Sequence, residues 1–310
     1  MFKNLQLIFG FFSITIFCFY FGPNIIQQIK DNLRFNISFL LSSFVVWTAL
    51  YLAKSKLTER LYDKFGFKIS LKELFSISIF TSLLSYIFPL NLSTGLKVFY
   101  LKIQHKLSFI KFGQIEIFSF IVLYFGYIVF FIAGYFSSIT SILYLPITIL
   151  SLLILFPLVY NLLKKYIKYE LPKFDLHIYL YAIINDILYI ILLYLVIVEY
   201  LKISINLNGI LMWAAIIQFS QIINVTPGNL GVREWVMVLT APFINISEED
   251  GAFISVIVRI ISIIYLLVWY LFSYKILFVD SKIKFLEFYD IYRKKHRRCP
   301  DGKTLYRTNS

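Results

Sequence analysis

The chain has 310 residues, of which 59% are hydrophobic and only 15% charged, where a soluble domain carries roughly 25% charged residues. A net charge of +13 would point to nucleic acid in a soluble protein, but here the cations sit in loops and a tail between apolar runs, where they set membrane topology instead. Cys18 and Cys299 lie too far apart in environment to form a disulfide framework or a metal spacing. The 33 Phe and 23 Tyr accompany abundant Ile, Lys and Asn, a bias of AT-rich coding rather than an aromatic binding surface.

In chain order, residues 5–21 form an apolar run after Lys3. It lacks a small-x-small cleavage site, because Tyr20 and Phe21 crowd its end, so it reads as a retained first helix. A second span at 37–53 is followed by Lys54, Lys56, Arg60, Lys64 and Lys68, a cluster that belongs on the cytoplasmic side. Residues 74–90 are apolar but run into Pro89, Asn91, Ser93, Thr94 and Gly95, and the following 96–112 carries Lys97, Lys102, His105, Lys106 and Lys111. Full spans are expected at 116–136, 139–160, 178–199 and 252–278, each near or above the roughly 20 residues that cross a bilayer. Lys164, Lys165, Lys168 and Lys173 mark a further cytoplasmic loop. Residues 208–225 are apolar, end at Pro227 and Gly228, and give way to a short apolar run at 235–246.

The expected fold is therefore all-α, a polytopic membrane helix bundle with about eight crossing elements and two broken or re-entrant segments. Residues 1–280 form the transmembrane domain and 281–310 a basic cytoplasmic tail with Arg293, Lys294, Lys295, Arg297 and Arg298. Placing every basic loop in the cytoplasm sets the protein in the cell (inner) membrane with both termini cytoplasmic. Each broken segment must then enter and leave on one side, the first opening to the cytoplasm and the second to the outside. Opposite openings are what an inverted repeat gives, with the breaks meeting near the midplane.

The second break carries the most chemistry. A break at membrane depth survives only where protein or a water-filled cavity pairs its backbone groups. Gly228 and Gly231 allow backbone conformations and close approach denied to other residues, and Pro227 cannot continue a hydrogen-bond ladder. The helix that starts near Val232 presents free N–H groups to an anion, and Arg233 offers a planar fork suited to phosphate. Alternatively, Arg233 pairs with the adjacent Glu234 or snorkels to the surface. Asp186 and Arg259 are further ionisable groups inside apolar spans. They either pair with each other or with Arg233 and Glu234, in a structural or a functional role. Gln218, Gln221 and Asn224 share a helix face that lines a cavity or glues helices together. On the first broken element, Gly95, Lys97 and Lys102 are candidate phosphate contacts or cytoplasmic snorkelling lysines. His105, His177 and His296 show no ligand spacing.

The segment Thr226-Pro227-Gly228-Asn229-Leu230-Gly231-Val232-Arg233-Glu234 resembles the Pro-Gly-Gly-x-Gly-x-x-Glu signature of the lysylphosphatidylglycerol synthase transmembrane-region family, which includes the flippase domain of bacterial multiple-peptide-resistance factors. The stretch from Gly95-Leu96-Lys97 through Lys102 and His105 to Phe112 is similar to a second family block. In many members that block reads Gly-Glu-x-x-Arg, whereas here Leu96 stands for the acid and Lys97 is the nearest cation, a departure shared with members found among surface-glycan genes. Asn229 in place of the second glycine is a milder change.

The resemblance implies a membrane domain that translocates or presents an anionic phospholipid or a polyprenyl-phosphate-linked glycan, with glycan-assembly proteins as partners. It does not imply aminoacyl-lipid synthesis, which in bifunctional members resides in a separate soluble domain. No nucleophile elbow, P-loop, paired-His motif or Cys cluster appears, so no catalytic residue, cofactor or metal is assigned. Two alternatives stay open: a lipid-dependent glycosyltransferase using Glu234 or Asp186 as base, and an accessory protein of cell-surface glycan assembly that recruits partners through its tail.

Overall fold

The computed structural model describes residues 2–32, 37–87, 90–139, 154, 157, 175–222 and 229–280, and among them all regular structure is helical. The helices are α1 (Phe2–Asn32), α2 (Ile37–Lys64), α3 (Leu71–Ile87), α4 (Leu90–His105), α5 (Phe109–Ile139), α6 (Leu176–Tyr194), α7 (Leu207–Ser220), α8 (Val232–Thr240) and α9 (Glu248–Tyr274). One π-helical segment, Leu195–Tyr200, extends α6 and another, Lys275–Asp280, extends α9, while a 3-10 turn, Ala241–Ile244, ends α8. Four stretches, Ile37–Lys64, Phe109–Ser138, Leu176–Tyr200 and Glu248–Leu277, are long and apolar enough to cross a membrane. Nearly all of the expected span at 139–160, and the whole tail at 281–310, lie outside the described residues, among which four candidate spans stand against the expected eight or so crossing elements.

Local chemistry sets the helix starts. Ser247 caps α9 by accepting from the Asp250 N–H at 3.0 Å, and Glu248, Glu249 and Asp250 sit in the first turn, where the helix dipole favours acids. Asp175 caps α6 by accepting from the His177 N–H at 2.9 Å. Its other oxygen pairs with Lys64 at the end of α2, at 3.0 Å. At the opposite ends of these two helices Phe39 stacks on Tyr200, with centroids 4.7 Å apart, so α2 and α6 run antiparallel.

The two broken segments are helical hairpins. In the first, His105 at the end of α4 lies 2.7 Å from Glu73 at the start of α3, and Tyr100 donates to the same carboxylate at 3.0 Å. In the second, the Trp213 indole donates to Thr240 Oγ1 at 2.9 Å, and Gly209 faces Ile244, so the start of α7 lies beside the end of α8. The α3–α4 hairpin follows the end of α2 that meets Asp175. The α7–α8 hairpin starts against Gly134 near the far end of α5 and is followed by α9, whose Asp250 accepts from Gln28 of α1 at 3.3 Å. The hairpins therefore enter the bundle from opposite ends, as the loop charges require.

One expectation is corrected. The first break does not extend to Gly95, because α4 is helical from Leu90 onward and Gly95 is an exposed position inside it. Proline is tolerated where a helix begins, small polar residues suit a first turn, and a glycine within a helix costs only about 1 kcal/mol. Asn91, Ser93, Thr94 and Gly95 therefore open a helix rather than interrupt one.

Apolar packing forms two clusters. One joins α2, α6, α7, α8 and α9 through residues such as Trp47, Tyr189, Trp213, Val238 and Val258. The other joins the α2 end, α3, α4, the α5 start and the α6 start through Leu57, Leu74, Leu101, Ile115 and Ala182. In α5, Gly126 and Tyr127 fall between Val122 of one cluster and Phe130 of the other; in α6, Asn185 and Asp186 fall between Ala182 and Tyr189. The clusters still touch, because Ile183 and Tyr270 pack against both and α3 contributes to each.

Candidate functional site

The hairpins meet at a buried charged centre. Glu234, in the first turn of α8, forms an ion pair with Arg259 of α9, both side chains nearly inaccessible. Its other oxygen accepts from the Gly231 N–H at 2.8 Å, closing the helix start. Gly231 has φ 86°, and a side chain there would come within 2.5 Å of Ser13 Oγ on α1, so only glycine fits both the conformation and the contact. The Trp235 indole donates to the Ser13 carbonyl at 3.3 Å, which fixes α1 beside the break.

Arg233 is the second buried guanidinium. Its Nη2 donates to the Tyr189 hydroxyl of α6 at 3.2 Å, and its Nε has no hydrogen-bond partner among the described residues. The Arg259 guanidinium lies 5.4 Å from the Tyr86 ring centroid near the tip of α3, and the Tyr86 hydroxyl shares a 2.8 Å hydrogen bond with Ser262. Tyr86 and Tyr51 also lie close enough to Arg233 to interact with its charge. Among the described residues, two guanidiniums meet one carboxylate here, an excess of one positive charge. Isolated buried charge is costly, so such a centre favours an incoming anion.

The sequence-derived candidates divide into three groups. Arg233, Glu234, Arg259 and Gly231 come together. Pro227 and Gly228 lie outside the described residues, as does Asn224, while Asn229 is buried and donates to the Ser220 carbonyl at 3.1 Å. Asp186 is fully buried but stands apart from Glu234 and both arginines: it accepts from the Asn185 amide at 3.2 Å, and its Oδ2 lies against Gly126 and has no partner among the described residues. Gln218 and Gln221 bond each other at 2.6 Å within one segment, a contact that favours neither the cavity nor the interhelical-glue alternative. Gly95 faces open space, Lys97 pairs with Glu116 at 2.6 Å, and Lys102 lies over the Phe109 ring at 4.4 Å. None of these three reaches the arginine centre.

At the helix start before Val232, Glu234 takes the Gly231 N–H, one of the four first-turn donors, and Ser13 of α1 packs beside Gly231. The residues missed from sequence are Tyr189, Tyr86, Tyr51 and Ser262, which line the centre, and Gly126 and Tyr127, which surround Asp186. Gly126 and Gly134 inside the apolar run of α5 were the available signal, because a helix glycine marks close approach. Comparison with protein-family models, with curated proteins and with solved structures finds no match to this chain.

Proposed function

We propose that the protein is a flippase-like integral membrane protein of the cell (inner) membrane, both termini cytoplasmic, that translocates or presents an anionic lipid or lipid-linked glycan intermediate. The observation that carries this reading is the meeting of two oppositely opening hairpins at a buried centre with surplus positive charge. Arg233 is the head-group contact: it holds one hydrogen bond to Tyr189 and keeps an unused donor at Nε. Glu234 holds Arg259 on α9, and exchange of that ion pair supplies the two comparable arrangements that alternating access needs. The resemblance of residues 226–234 to the lysylphosphatidylglycerol synthase transmembrane-region signature agrees with this substrate class.

Reconstitution in liposomes with a fluorescent anionic phospholipid and, separately, a polyprenyl-phosphate-linked sugar tests it. Wild type should equilibrate at least one of them across the bilayer. Arg233→Ala should slow that by at least about tenfold, as the loss of one charge-assisted contact implies, and Glu234→Gln should also slow it by freeing Arg259. Wild-type rates in both variants would remove the proposed site. Sugar transfer to an acceptor without translocation would favour the glycosyltransferase instead.

A further inference from the structure

The buried acid that the arginine centre leaves unused is Asp186. It lies near the middle of the membrane-length stretch Leu176–Tyr200 and is 0% exposed. Its Oδ1 accepts from the Asn185 amide at 3.2 Å, and its Oδ2 has no hydrogen-bond partner among the described residues. No lysine, arginine or histidine among those residues comes within ion-pair distance of it. A carboxylate so placed is costly in an apolar interior unless a cation joins it.

The surroundings decide which cation. Oδ2 lies so close to Gly126 of α5 that a methyl group there would collide with it. Among the described residues no group of three or more His, Cys, Asp or Glu side chains could hold a metal ion. A proton needs neither volume nor further ligands, and Oδ2 is the atom left to take it. From α5, Tyr127 faces the carboxyl, since the Asn185 nitrogen that bonds Asp186 also lies 3.4 Å from the Tyr127 hydroxyl. On α6 itself Tyr179 stands two turns before and Tyr189 one turn after, and α7 brings no titratable side chain. The antiparallel register of α2, with Phe39 against Tyr200 and Lys64 against Asp175, puts Lys54 at this level but outside ion-pair distance.

Two contacts tie this carboxyl to the arginine centre and to the second hairpin. Tyr189, on the same face of α6, accepts from Arg233 at 3.2 Å. Tyr124, one turn before Tyr127 on α5, donates to the Gln218 carbonyl at 3.4 Å, and its ring lies 5.7 Å from that of Phe219. Gln218 and Phe219 form the last turn of α7, at the tip of the α7–α8 hairpin. Asp186 is therefore placed to be shut in while that tip rests on Tyr124.

We propose that Asp186 is the binding site of a proton that drives translocation: Oδ2 holds the proton while the hairpin tip rests on Tyr124, and gives it up to water when the tip moves away. The proposal rests on the translocation reading above and adds the gradient that powers it.

The test uses the full chain in liposomes carrying trace fluorescent phosphatidylglycerol or, separately, a labelled polyprenyl-phosphate-linked sugar, with protein-free liposomes as the baseline. The pH is equal on both sides or differs by about two units, each unit being a tenfold bias for one proton per lipid. Wild type should concentrate at least one of these lipids in one leaflet by at least about tenfold under the gradient, and a protonophore should abolish the asymmetry. Asp186→Asn keeps the shape but cannot release a proton, so its leaflets should stay equal under the gradient. If that variant aggregates or moves no lipid, wild type decides alone. Dicyclohexylcarbodiimide, which couples to protonated carboxyls in apolar surroundings, should then modify Asp186, located by mass spectrometry, more slowly as the pH is raised. Accumulation that persists in Asp186→Asn, wild-type movement indifferent to the gradient, or an Asp186 left unmodified at every pH would each overturn the proton site and leave the arginine centre standing. Movement of neither lipid by wild type would overturn the function itself, and the coupling with it.

Discussion

At the scale of single residues, the contact between Gly126 and Asp186 shows how a carboxyl is accommodated inside an apolar bundle. A methyl group on Gly126 would collide with Asp186 Oδ2. Gly126→Ala should lower thermal stability by about 1–3 kcal/mol, the usual cost of overpacking, and the double variant Gly126→Ala with Asp186→Ala should recover much of it. Thermal unfolding followed by size-exclusion elution measures this; a double variant no more stable than Gly126→Ala alone would show that the clash is not the cause. Arg233, Glu234, Asp186 and Arg259 were legible in the sequence, because an ionisable group in an apolar run announces itself. Their pairing was not, since two carboxylates and two guanidiniums allow several matches and only the three-dimensional arrangement selects Glu234 with Arg259. Tyr189, Tyr86 and Tyr51 were invisible among 23 tyrosines.

At the scale of elements, the two hairpins were legible from Pro89, Pro227 and the signs of the flanking loops, while the start of α4 was misread because small polar residues serve both turns and first helical turns. The junction of α2 with α6 gives an element-level test. Burial raises the affinity of the Asp175 carboxyl for a proton, but Lys64 and the His177 N–H and ring outweigh this and hold the group below the usual carboxylate range. A carboxyl with a depressed folded-state pKa adds stability above its unfolded pKa of about 3.9, and that contribution is lost as pH falls through the lower folded value. Asp175→Asn should therefore cost about 1 kcal/mol at neutral pH through the weakened cap and lost ion pair, and the difference from wild type should vanish in strong acid. Stability measured against pH decides it: a difference that persists unchanged at the acid end would assign the effect to packing.

At the scale of the whole molecule, the hairpins divide the bundle into two ends of different charge. The end with Lys64, Gly66 and Lys68 lies opposite the end with Gln28, Asn245 and Glu249. With Cys18 and Cys299 replaced by serine, a cysteine at Lys68 should react with a membrane-impermeant reagent only from the cytoplasmic side, and one at Glu249 only from outside intact cells. Reaction of both from one side would refute the arrangement.

Glu234 uses its two oxygens on two different elements, one on the backbone of its own helix start and one on Arg259 of the neighbouring helix. The separation has a mechanical consequence. Breaking the pair with Arg259 leaves the Gly231 N–H capped by the other oxygen, so the closure of the first turn of α8 does not depend on whether the interhelical ion pair is made.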